Sequence, residues 1–166
     1  MFTTTKIGHM GFWTQDLDRM EEFYVRIMGF RVTSRSGPGA KVPGGASLFL
    51  RCDRTHHEVV FFQAPEGAPS LYSETGNSLE ERKVGFQHVA FEVPNRMEWL
   101  KALKHIKNCG VEIKYGPLVH GPEGDGFAEG SGNRAFYITD PDGSYIEIYC
   151  DIAVFEDEKV GWGDIL

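Results

Sequence analysis

Apolar positions along the chain change period twice, in the same order each time. Residues 6–13 read as a short strand carrying His9. Behind Asp16, a candidate N-cap, Leu17, Met20, Phe23, Tyr24, Ile27 and Met28 recur at helical spacing, and Gly29 is a natural stop. Strand-like stretches follow at 30–33, 46–51 and 58–63. The succession then returns. Residues 85–93 form a strand carrying His88, and a second helix starts at Asn95 with Glu98 at its third position. Met97, Leu100, Leu103 and Ile106 line one face of that helix and Gly110 ends it. Strands at 111–114, 135–139 and 145–149 complete the set.

The two histidines stand 79 residues apart, and the distances from histidine to stopping glycine agree at 20 and 22 residues. The pattern is therefore two tandem βαβββ modules, about 6–63 and 85–151, in an α+β chain. A polar linker, 64–84, joins them and a tail, 152–166, follows. Neither module is comfortable alone, so residues 1–166 are expected to form one domain with pseudo-twofold symmetry. Residues 115–133 hold six glycines and little periodicity, as a lid would.

Composition removes several alternatives. The formal charge is −7 and no dense Lys/Arg cluster occurs, which argues against a nucleic-acid footprint. No apolar run approaches the ~20 residues of a membrane span, and the first ten residues have no signal-peptide core. The three cysteines, Cys52, Cys109 and Cys150, form no CxxC pair, so a reduced cytoplasmic chain is expected.

The histidines carry the candidate chemistry. A pseudo-twofold axis would point His9 and His88, at matching positions of matching strands, into one cavity. On the last strand, alternation puts Tyr145, Glu147 and Tyr149 on one face. A carboxylate among aromatic neighbours wants a compensating charge, and a metal would supply it. Two histidines and a carboxylate with open positions form the facial triad of non-heme Fe(II) oxygenases.

These segments, IGHMGF at 7–12, FQHVAFEV at 86–93 and DPDGSYIEIY at 140–149, together with the module period, resemble the vicinal oxygen chelate superfamily. That superfamily includes glyoxalase I, fosfomycin and bleomycin resistance proteins, and type I extradiol dioxygenases. The chain is most similar to a single-domain form of the last. The resemblance implies a cupped, barrel-like mixed sheet around a metal site held by His9, His88 and Glu147. The position where glyoxalases add a ligand is Val60 here, which cannot bind metal. The implied cofactor is Fe(II), with Mn(II) as the alternative, and the implied substrates are a catechol-type molecule and O2. His57 matches the acid/base histidine of the extradiol enzymes, His120 the histidine that contacts substrate oxygen, and Tyr137 a tyrosine near substrate and metal. A homo-oligomer is expected, with no nucleic-acid or membrane partner.

Strict alternation sets His56, Glu58 and Val60 on one face and His57 on the other, unless the strand begins with a bulge. Without one, His56 rivals His57 as acid/base and Glu58 becomes a candidate ligand. A glyoxalase-type lyase or isomerase would call on Glu58 as its fourth ligand. A non-catalytic binding protein on the same fold would not require His9, His88 and Glu147 together. His105, off the apolar helix face, reads as solvated, and Asp140–Gly143 as a turn.

Overall fold

The computed structural model describes residues 6–70, 85–121 and 131–154. They group into two compact units. The first takes in residues 6–70 with Asp140–Asp142, and the second the remaining described residues.

The first unit runs β1 (Met10–Thr14), α1 (Leu17–Glu22), a π-helical turn (Phe23–Ile27), β2 (Arg31–Ser36), a 3-10 turn (Pro43–Gly45), β3 (Ser47–Arg51) and β4 (Val59–Gln63). The second runs β5 (His88–Glu92), α2 (Arg96–Asn108), β6 (Tyr115–Val119), β7 (Arg134–Thr139) and β8 (Tyr145–Cys150). Each builds a four-stranded mixed sheet, in the orders β1-β4-β3-β2 and β5-β8-β7-β6. In each, the first strand pairs in parallel with the last, and the other pairs are antiparallel. The βαβββ repeat read from the sequence is thus present twice. Each sheet is cupped and open, and neither closes on itself as a barrel.

Alternation separates two faces on each sheet. In the first unit Leu48, Leu50, Val59 and Phe61 are buried with Met20 and Tyr24, whose ring lies 5.1 Å from that of Phe61. Asp16 caps α1 by accepting from the Arg19 amide at 3.0 Å. In the second unit Val89, Phe136, Ile138, Ile146 and Ile148 are buried together with Trp99 and Ile106 of α2. Asn95 caps α2 through the Glu98 amide, again at 3.0 Å.

Four expectations need correction. β1 begins at Met10, so His9 stands just before the strand. On α2 the buried residues are Trp99 and Ile106, whereas Met97 is 61% and Leu100 42% exposed. The indole decides this, because Trp99 has the larger apolar surface and its Nε1 donates to the Ile148 carbonyl at 3.0 Å. The strand expected at 111–114 is instead β6, at Tyr115–Val119, which takes the start of the supposed lid. Pro117 is tolerated there because β6 is an edge strand and its register with β7 shifts between Tyr115 and Leu118. The helix expected to run to Gly29 keeps α geometry only to Glu22 and finishes as the π-helical turn. Much of the linker, the middle of the lid and most of the tail lie outside the described residues. Among those described, no helix is long and apolar enough to cross a membrane.

Candidate functional site

On the second unit, four of the residues singled out from the sequence meet on one sheet face. Parallel pairing sets His88 beside Tyr145 and Ala90 beside Glu147. Ala90 contributes only a methyl group next to the carboxylate, and His88, one pleat away, reaches it: Nε2 lies 3.2 Å from Glu147 Oε2. On the other side of Glu147, β7 brings Tyr137 directly opposite. The Tyr137 hydroxyl lies 3.0 Å from His120 Nε2. Tyr137 and the Glu147 carboxylate also interact electrostatically. The row His88–Glu147–Tyr137–His120 is therefore continuous.

Burial by itself would push the Glu147 carboxyl up, yet its net shift is down. Hydrogen bonding to His88 and the His88 charge outweigh the burial, with help from Asn133 and Tyr137. Glu147, buried though it is, is kept as a carboxylate. Tyr137 moves the other way, raised first by burial and then by the negative charge of Glu147.

His120 reaches this face because of the strand before it. Gly116 adopts φ +84°, and a Cβ there would stand 2.9 Å from the Ala135 carbonyl oxygen and 3.2 Å from the Phe136 Cα. Only glycine allows β6 to approach β7 this closely at the register shift. Beyond it, the His120 amide donates to the Asn133 carbonyl at 2.9 Å.

The first unit gathers a second group. The His57 ring centroid lies 4.6 Å from that of His9 and 4.9 Å from Phe49, and His56 Nδ1 is 2.9 Å from His57 Nδ1. β4 starts only at Val59, so strict alternation does not extend back to His57. The ring packs on Phe49, which is opposite Val60 in register, and so shares the Val60 face. Burial, then the nearby His9 and His56, lower the His57 pKa, with Glu58 opposing.

Glu58 has other work. Its Oε2 accepts from the Cys52 amide at 2.9 Å and the Asp53 amide at 3.3 Å, and its Oε1 bonds the Thr55 hydroxyl. Both oxygens help to close the β3–β4 loop.

Asn133 escaped the sequence reading. It is 3% exposed, and its Nδ2 donates to Glu147 Oε1 at 2.9 Å. In a glycine-rich stretch an asparagine signals a turn, and nothing local marks it as a partner of a residue on another strand. His105 is exposed, as expected, beside Cys109.

A histidine nitrogen beside a carboxylate oxygen suits a divalent first-row metal. Among the described residues, no group of three or more His, Cys, Asp or Glu side chains able to hold one is gathered.

Biphenyl-2,3-diol 1,2-dioxygenase 3 of Rhodococcus globerulus is 26% identical over 154 residues, covering 91% of this chain and 66% of that protein. Catechol-2,3-dioxygenase of Bacillus subtilis (strain 168) is 27% identical over 149 residues, 89% of this chain and 42% of that protein. The chain thus spans less than two thirds of the length of either relative. Among solved structures, a glyoxalase/dioxygenase from Nostoc punctiforme is similar with a TM-score of 0.57 at 22% identity, covering 89% of this chain and 92% of that one. The fosfomycin resistance protein FosX from Mesorhizobium loti gives 0.55 at 16% identity, with 89% and 92% covered. At such identities the likeness is one of fold. Family membership rests on the sequence itself: the family model for the Glyoxalase/Bleomycin resistance protein/Dioxygenase superfamily matches residues 6–148, and the chain belongs to that superfamily.

Proposed function

We propose that the chain is an Fe(II)-dependent extradiol dioxygenase that opens the ring of a catechol-type substrate with O2. Its metal ligands are His88 and Glu147 together with His9, the period-matched histidine of the first module. The observation that carries the reading is the row of His88, Glu147, Tyr137 and His120. It combines an N/O donor pair with two groups suited to a substrate oxygen, Tyr137 and His120 at 3.0 Å from each other. The dioxygenase relatives support it. So does Val60, which leaves a three-residue ligand set with open positions for two catechol oxygens and O2.

The metal, when bound, acidifies a catechol hydroxyl and joins substrate to O2 electronically. The chain's own groups do the rest. Glu147, held ionised, balances the metal's charge. His120 and the Tyr137 hydroxyl steady the substrate oxygen. His57, beside His9, holds and returns a proton during ring opening. An imidazole can take up and release a proton near neutral pH, and burial with His9 and His56 favours the neutral, proton-accepting form of His57. The engagement of Glu58 in its own loop weighs against the four-ligand lyase or isomerase reading.

Anaerobic reconstitution with Fe(II), addition of a panel of catechols and admission of air tests this. Yellow ring-opened products are expected. Tight metal binding with no colour from any catechol would overturn the dioxygenase reading in favour of lyase or isomerase chemistry.

A further inference from the structure

The two oxygens of Glu147 face different partners. Oε2 is the atom near His88, at 3.2 Å, while Oε1 accepts from Asn133 Nδ2 at 2.9 Å. The asparagine amide is itself oriented, because the Ser131 hydroxyl donates to its Oδ1. Its backbone is fixed as well. The Asn133 carbonyl accepts from the His120 amide at 2.9 Å, and the Ser131 carbonyl accepts from the Ala153 amide at 3.0 Å. Asn133 is 3% and Glu147 6% exposed, so water does not compete freely for this bond.

A carboxylate with two equivalent oxygens can bind a divalent cation through one or both. When one oxygen already accepts from a buried amide donor, the other is the better donor to the cation. We propose that Asn133 is a positioning residue that makes Glu147 a one-oxygen ligand, reserving Oε2 for the cation and keeping a coordination position from being filled by Oε1. The inference rests on the metal reading above and adds to it the coordination mode of one ligand.

Titration of the full-length apoprotein with Co(II) under anaerobic conditions tests the proposal, with affinity and the visible absorption spectrum as readouts. Asn133→Leu keeps the side-chain size and removes the donor. It is expected to weaken Co(II) binding about 10–100-fold, the usual cost of losing an outer partner of a ligand. It should also change the intensity of the visible bands, because the second oxygen can now join the coordination sphere. Ser131→Ala leaves Asn133 present but frees its amide to turn, and should give a smaller change of the same kind. If Asn133→Leu fails to fold by circular dichroism, Ser131→Ala decides. Affinity within twofold of the parent with an unchanged spectrum overturns the proposal while the metal reading stands. A parent that binds no Co(II) overturns the metal reading, and the proposal falls with it.

Discussion

Val60 occupies in one sheet the place that Glu147 occupies in the other. Val60 is opposite Gly11 on the parallel strand β1, and Glu147 is opposite Ala90 on the parallel strand β5. Gly11 and Ala90 are separated by the same 79 residues as His9 and His88. The two modules thus share a backbone register and differ in chemistry at the matching point. One has a buried aliphatic group where the other has a buried carboxylate.

If the proposed ligands His9, His88 and Glu147 hold the metal, Val60→Glu should extend that set to four. Burying the new carboxylate without metal is expected to cost the apoprotein about 2–4 kcal/mol. Divalent metal should restore part of that by binding only the folded state. Melting curves with EDTA and with Mn(II) measure both effects. A variant whose melting ignores added metal would separate position 60 from the metal site.

His57 and His9 are neighbours with different expected roles. His57→Phe should retain iron, measured by metal analysis, and lose turnover by roughly 10²–10⁴-fold, the usual contribution of a general acid/base. His9→Ala should lose the metal itself. Unchanged turnover in His57→Phe would remove it from the mechanism and return attention to His56.

Cys52 provides a pH test of the β3–β4 loop. Partial burial and then the charge of Glu58 push its thiol from 9.0 up to about 11. At pH 8 alkylation of Cys52 should therefore be on the order of 100-fold slower than that of an ordinary thiol, because the thiolate is the reacting form. The folded state binds the proton more tightly than the unfolded chain. The associated stability is thus fully present below pH 9 and is lost as pH rises toward 11. Mass-resolved alkylation rates check the first statement and urea midpoints across that range the second. Glu58→Gln should speed the reaction, and an unchanged rate would contradict the assigned cause.

Gly116→Ala should disturb β6 at its close approach to β7. A Cβ at 2.9 Å from the Ala135 oxygen, on a residue with φ +84°, is expected to cost roughly 1–3 kcal/mol. Urea unfolding measures the loss. A midpoint equal to the parent's would show that the strand can move aside freely.

Much of the architecture was legible because it is local. A two-residue or 3.6-residue period follows from backbone geometry, so the repeated βαβββ order and the shared face of Tyr145, Glu147 and Tyr149 could be read without a structure. Asp16 and Asn95 as caps were legible for the same reason, since a cap bonds an amide three residues on. His57, His120 and Tyr137 as candidate site residues were reached only through family resemblance.

The rest depends on partners far apart in the chain. Which face of α2 packs was decided by a bond from Trp99 to Ile148, and the start of β6 by a register shift against β7. The side of the sheet that His57 joins was set by packing on Phe49, and the freedom of Glu58 by the amides of its own loop. Asn133 meets Glu147 across 14 residues of sequence, and no periodicity links an asparagine in a glycine-rich segment to a strand carboxylate. Sequence by itself determined the repeat, the family and the histidine pair, because those are written in spacing and residue type. Tertiary structure alone decided which oxygen of Glu147 faces His88, because that depends on where a buried hydrogen-bond donor comes to rest.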